Sequence, residues 1–95
     1  MSTITVEFLG LARILTQQKM LELQIGPATT YRDIVQIIGT RFPVLVGQVI
    51  SPEGDDLIAS NMISLNGEHM IQEDAMGEIP SDGDRIIFMS ILAGG

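Results

Sequence analysis

The sequence contains no cysteine and no tryptophan, and its 95 residues include one tyrosine and three phenylalanines. Without cysteine there is no disulfide framework, no thiolate zinc site, no iron–sulfur cluster and no cysteine nucleophile. Any sulfur chemistry therefore runs through something other than a side-chain thiol. Basic residues are also scarce. Five Lys plus Arg stand against twelve Asp plus Glu, a net charge of −7, which repels the phosphate backbone that supplies most nucleic-acid affinity. The imbalance is local: in residues 51–95 Arg85 alone faces nine acids, a distribution that suits solvated loops or a basic partner. No apolar run approaches the ~18 residues of a membrane span, and Met1-Ser2-Thr3 does not open a secretory leader. The expectation is a cytoplasmic protein with neither membrane nor nucleic acid as partner. A chain of this length suits a single domain with a modest core.

What is present is hydrophobic patterning, with 45% of the residues apolar. Ile4, Val6 and Phe8 alternate with Thr3, Thr5 and Glu7, the period of a half-buried strand over residues 3–9. Leu11 to Gln18 fits neither period clearly. Met20, Leu21, Leu23 and Ile25 suggest a second strand, antiparallel to the first and ended by Gly26-Pro27. Thr29 or Thr30 offers a helix cap, Asp33 suits the first turn, and Ile34, Ile37 and Ile38 follow at helical spacing, which predicts the main helix over roughly 30–41. Phe42-Pro43 stops it, and a short second helix is expected from Pro43 to about Val49. Asn66-Gly67 marks a tight hairpin within 61–71. Ser81-Asp82-Gly83-Asp84 turns the chain into Arg85 to Leu92, which is apolar on both faces: Ile86 and Phe88 point one way, Ile87, Met89 and Ile91 the other. A strand of that kind belongs inside a sheet. The order ββαββ implies an α+β domain with a mixed four- to five-stranded sheet and one main helix on one face. A β-grasp arrangement satisfies it, with the first and last strands as parallel central neighbours.

Catalytic constellations are missing. His69 is the only imidazole and reads as a surface residue of the hairpin, without partners for a metal site or a Ser-His-Asp set. Asp55, Asp56, Glu73 and Asp74 lack the spacing of a calcium loop, and no glycine-rich phosphate loop occurs. Neither a metal site nor a bound cofactor is expected. Of the six methionines, Met20, Met62, Met70 and Met76 are read as core filler, the alternative being an adaptable binding surface.

The remaining feature is the ending Leu92-Ala93-Gly94-Gly95. Four residues at ~3.3 Å each extend roughly 13 Å, and the small side chains let such an arm enter a narrow channel. Residues 92–95 are accordingly expected to form a flexible tail on a single domain spanning 1–95. The group such a tail presents is the Gly95 carboxylate, ionised at neutral pH with a pKa near ~3.5 and unreactive until its oxygen becomes a leaving group. A partner that transfers AMP from ATP would make an acyl-adenylate, open to a sulfur donor or to an amine.

Four stretches carry a resemblance across most of the chain: Val6-Glu7-Phe8-Leu9-Gly10-Leu11-Ala12-Arg13, Leu65-Asn66-Gly67, Asp82-Gly83-Asp84, and Ile86-Ile87-Phe88 through Gly94-Gly95. Together they resemble the ubiquitin-like sulfur carriers, the molybdopterin synthase small subunit and its thiamine-pathway relative, with the length closer to the former. The resemblance implies a β-grasp fold and no active site of the chain's own. It also implies adenylation of Gly95 by an enzyme of the ubiquitin-activating type that uses ATP, then conversion to a thiocarboxylate that donates sulfur to a synthase large subunit or another acceptor. By position Gly95 carries the sulfur, and Gly94, Ala93 and Leu92 form the arm. Partner docking falls on Leu9, Ile87, Met89 and Ile91 of the sheet face beside the tail. Two departures stand out: Ile14 follows Arg13 where the family often has Glu, and Met89, Ser90 and Ile91 replace aromatic and proline residues. A protein modifier joined through Gly95, a thiamine-type carrier and a non-catalytic interaction module are the alternatives.

Overall fold

A computed structural model describes residues 1–58 and 61–90. Strand β1 (Ser2–Phe8) leads through the six-residue helix α1 (Leu11–Thr16) into β2 (Met20–Ile25). Helix α2 (Tyr31–Arg41) follows, then β3 (Asn61–Leu65), the two-residue β4 (His69–Met70) and β5 (Arg85–Ser90). The sheet order is β2-β1-β5-β3-β4. β1 is antiparallel to β2 and parallel to β5, so the first and last strands are the central neighbours that the pattern of apolar residues requires.

Helix α2 starts where Thr30 and Asp33 cap reciprocally. The Asp33 N–H donates to Thr30 Oγ1 at 3.1 Å and the Thr30 N–H donates to Asp33 Oδ2 at 3.0 Å, satisfying two amides that the first turn otherwise leaves without partners. Ile34 and Ile38, one turn apart, are fully buried with Val35. They lie over the sheet face formed by Ile4, Val6, Phe8, Ile63, Ile86 and Phe88. The helix ends at Phe42, whose φ of −126° and ψ of 76° are outside the helical region, which its place before Pro43 disfavours. The Phe42 ring meets Phe8 edge-on at 5.4 Å, and Phe8 lies 5.9 Å from Phe88.

One local expectation is corrected and one open segment is assigned. The segment from Pro43 is a single 3₁₀ turn, Pro43–Leu45, and no helix continues to Val49. Gly47 takes φ +89°, which breaks helical geometry, and the Leu45 carbonyl accepts from the amides of Gln48, Val49 and Ile50 at 3.1, 2.8 and 3.0 Å. Between β1 and β2, where neither period was clear, stands α1. Gly10 at φ +59° turns the chain into it and Gln17 at φ 58° turns it out. Only Ala12 is buried along it, with Leu15 packed partly against the core, which is too little for a helical stripe.

The two turn motifs clasp one end of the sheet. Asn66 and Gly67 both have positive φ, 57° and 72°, the geometry of a type I′ hairpin turn. Asn66 Oδ1 accepts from the Arg85 amide at 2.8 Å, and Asn66 Nδ2 donates to Asp84 Oδ1 at 3.2 Å. Asp84 Oδ2 accepts from the Ser81 amide, and Asp82 Oδ1 from the Thr3 amide, both at 2.8 Å. The Asp-Gly-Asp turn thereby ties together the starts of β1 and β5 and the β3–β4 hairpin, and so sets the register in which β5 leaves the domain. Among the described residues, no helix is long and apolar enough to cross a membrane.

Candidate functional site

Strand parity divides the sheet into a face covered by α2 and an open face. On β5, Ile86 and Phe88 are fully buried in the core. Ile87 and Met89 therefore stand on the open side. The register sets Ile87 between Glu7 of β1 and Ser64 of β3, and Met89 beside Met62. Met70 is opposite Ser64 and Met20 is opposite Glu7, so both share that side. The open face thus carries methionine from β2, β3, β4 and β5.

This corrects the reading of Met20, Met62 and Met70 as core filler. Met20 is 50% exposed and Met62 and Met70 are half-buried, whereas Met76, 3% exposed, does fill the core. The signal was available in the sequence. Leu21, Leu23 and Ile25 alternate with Met20, and Ile63 and Leu65 with Met62, which places both methionines away from the core. Unbranched thioether side chains repack around different shapes, a property suited to a face that meets more than one partner.

Ile87 contributes less open surface than its place on this face suggests, at 5% exposure. A central strand is flanked on both sides. Here Arg85 Nε donates to Glu7 Oε2 at 2.7 Å beside it, and Ile87 Cδ1 reaches the hairpin turn, 4.0 Å from where a Cβ on Gly67 would stand. Met89 is half-buried. Leu9 is 39% exposed, and its amide donates to the Phe88 carbonyl at 2.9 Å, which holds it beside the outgoing end of β5. Leu11, also 39% exposed, and Ile14, 71% exposed, are further open apolar side chains on α1 that were not picked from sequence. Ile91, Leu92, Ala93, Gly94 and Gly95 lie outside the described residues.

Among the described residues, no group of three His, Asp or Glu side chains is placed to hold a metal ion. His69 is exposed on β4. What the face offers is a sealed aliphatic centre, an adaptable rim, and one ion pair across β1 and β5.

At the level of sequence, no family model and no curated protein matches the chain. Solved structures do. SAMP1 from Haloferax volcanii superposes with a TM-score of 0.79 at 18% identity, covering 99% of this chain and 100% of that one. This is a ubiquitin-like β-grasp fold. A putative molybdopterin converting factor subunit 1 from Pyrococcus furiosus gives 0.74 at 18% identity over 95% and 98% of the two chains. Urm1 from Trypanosoma brucei gives 0.69 at 26% identity over 99% and 96%. The β-grasp expectation is met along nearly the whole chain, and the neighbours are of the ubiquitin-like carrier and modifier kind that the sequence resembles.

Proposed function

We propose that the protein is a sulfur carrier whose Gly95 carboxylate is adenylated by a partner enzyme and then converted to a thiocarboxylate. The carboxylate oxygen attacks the α-phosphorus of ATP and pyrophosphate leaves. A sulfur nucleophile then adds to the carbonyl carbon and AMP leaves. The observation that carries this reading is the combination of a ubiquitin-like fold with Gly94-Gly95 following its central strand β5. The domain supplies no acid, base or nucleophile to the reaction. It acts as a handle, with the open face and Leu9 as the grip for the adenylating enzyme and for the protein that receives the sulfur. The acceptor in this reading is the large subunit of a molybdopterin synthase, supported by the Pyrococcus neighbour's name.

Conjugation of Gly95 to lysine amines of other proteins is a second reading, favoured by the name of a further neighbour, small archaeal modifier protein 1 from Methanosarcina acetivorans. Both readings pass through the same acyl-adenylate. The test is ATP–pyrophosphate exchange by the cognate adenylating enzyme. The expected result is exchange that depends on this chain and is lost when one alanine is appended after Gly95. Undiminished exchange with the appended residue would contradict the proposal. Gly-Gly remnants on lysines of other proteins would separate the modifier role from the carrier role.

A further inference from the structure

Of the two edges of the sheet, β4 is two residues long, whereas β2 runs for six residues without proline. Among the described residues β2 pairs with β1 alone. The Phe8 amide donates to the Lys19 carbonyl at 3.0 Å, which makes Phe8 and Lys19 a hydrogen-bonded pair. In an antiparallel ladder bonded residues alternate, so Leu21, Leu23 and Ile25 bond to β1, while Met20, Glu22 and Gln24 turn their amides and carbonyls to the free edge. All three are exposed. An edge of this length, carrying only Lys19 and Glu22 as charges, is lightly protected against strand addition.

Beside that edge lies a groove of about 580 Å³ between β2 and α2, with Leu23 in its floor and Gln36, Ile37, Thr40 and Arg41 in its wall. It continues past Leu21 to Phe42, with Arg41 lining this stretch as well. Ile37 leaves 37% of its surface open there, although it sits on the helix that covers the core. Arg41 lines both stretches, is exposed and forms no ion pair among the described residues, so the Phe42 end of the groove carries a free cation; Lys19, the chain neighbour of the lining residue Gln18, is exposed as well. The Asp33 carboxylate at the other end accepts from the Thr30 amide.

We infer that the β2 edge and the β2–α2 groove form a docking site for an extended segment of a partner protein, one with apolar residues at alternate positions and an acidic end. The segment adds as a sixth strand, its backbone bonding to Met20, Glu22 and Gln24. Alternate side chains lie over Leu21 and Leu23 against Ile37, and the acidic end meets Arg41 and Lys19. Free backbone donors and acceptors specify a strand, and unpaired cations specify the sign of its end. A second copy of this chain is a poorer occupant. In the register that overlaps all three outward-facing residues, two Glu22 side chains fall directly opposite each other, which is destabilising.

The site uses the free backbone of β2 and the helix-covered side of the sheet and assigns no role to Gly95, so it is tested independently of the sulfur-carrier reading. The probe is a blocked nonapeptide of alternating valine and threonine closed by two aspartates, titrated into the full-length ¹⁵N-labelled protein. The expected result is movement of the Met20, Glu22, Gln24 and Ile37 amide signals, with slowed hydrogen exchange at the first three. N-methylation of alternate peptide amides abolishes binding, and Arg41→Glu weakens it by roughly tenfold. The inference is overturned if the peptide produces no shifts, moves only Ile87 and Met89, or binds equally well when N-methylated. It is also overturned if Arg41→Glu binds as tightly, or if the β2 amides become protected by self-association without peptide.

Discussion

Asp84 shows how little of a sequence motif need be chemistry. It is one of the residues by which the chain resembles the sulfur carriers, yet its carboxylate accepts from the Ser81 amide and from Asn66 Nδ2, at the end of the sheet where β5 begins. Asp84→Ala is expected to cost about 1–3 kcal/mol in urea unfolding, through lost hydrogen bonds to groups that then lack partners. Paired with Asn66→Ala, the loss is less than additive, because both substitutions break the same clasp. Tyr31 provides a pH-dependent prediction. Burial, and then the charges of Asp84 and Glu78, raise its phenol above the ordinary 10.0. The folded state thus holds the Tyr31 proton more tightly than the unfolded state does. Its contribution is fully present below pH ~10 and is lost as pH rises through the raised folded value. Tyr31→Phe should therefore flatten the fall in stability above pH ~10, measured as unfolding midpoints across the alkaline range. An unchanged slope would show that the phenol is not the group responsible.

At the scale of the element, α2 and the open face make separable contributions. The reciprocal cap at Thr30 and Asp33 predicts that Thr30→Ala costs about 1 kcal/mol, with a non-zero coupling to Asp33→Ala in a double-mutant cycle of unfolding free energies. On the open face, Met89→Lys is expected to weaken binding to the adenylating enzyme by about tenfold or more, with little change in the unfolding midpoint because Met89 is not part of the main core. Titration calorimetry reads the first effect and denaturant unfolding the second. A large loss of stability without loss of affinity would remove the face from the proposed function. The elements most legible in the sequence were those with strong periodicity or turn chemistry: β1, α2, the Asn66-Gly67 hairpin and β5. Helix α1 was hidden because Ala12 and Leu15 are its only inward contacts. The segment after Pro43 was misread because proline at a first helical position also opens a 3₁₀ turn, which the extended Val46 ends. The methionines were misassigned because a residue type suggested a core that strand parity denies.

At the scale of the whole molecule, a β-grasp fold with one main helix over the sheet puts its two ends to different uses. The turn clasp at one end fixes β5 parallel to β1, and β5 then runs to the opposite end, where Leu9 is held against it. The fold was readable because a strand apolar on both faces must be central, and a mixed sheet with one covering helix leaves few other arrangements. The open face was readable, since Ile87 and Met89 followed from alternation; the exposed Leu11 and Ile14 of α1 were not, since their exposure depends on that short helix. The tail residues Leu92 to Gly95 carry the proposed chemistry, and only their composition and order bear on it.

The central claim, that the reactive group is the Gly95 carboxylate, is tested most directly by intact-protein mass spectrometry with fragmentation. The chain is incubated with its adenylating enzyme, ATP and a sulfur donor. The account predicts exchange of one oxygen for sulfur, located on residue 95 and absent from a chain lacking Gly95. Sulfur located elsewhere, or incorporated equally after Gly95 is removed, would contradict it.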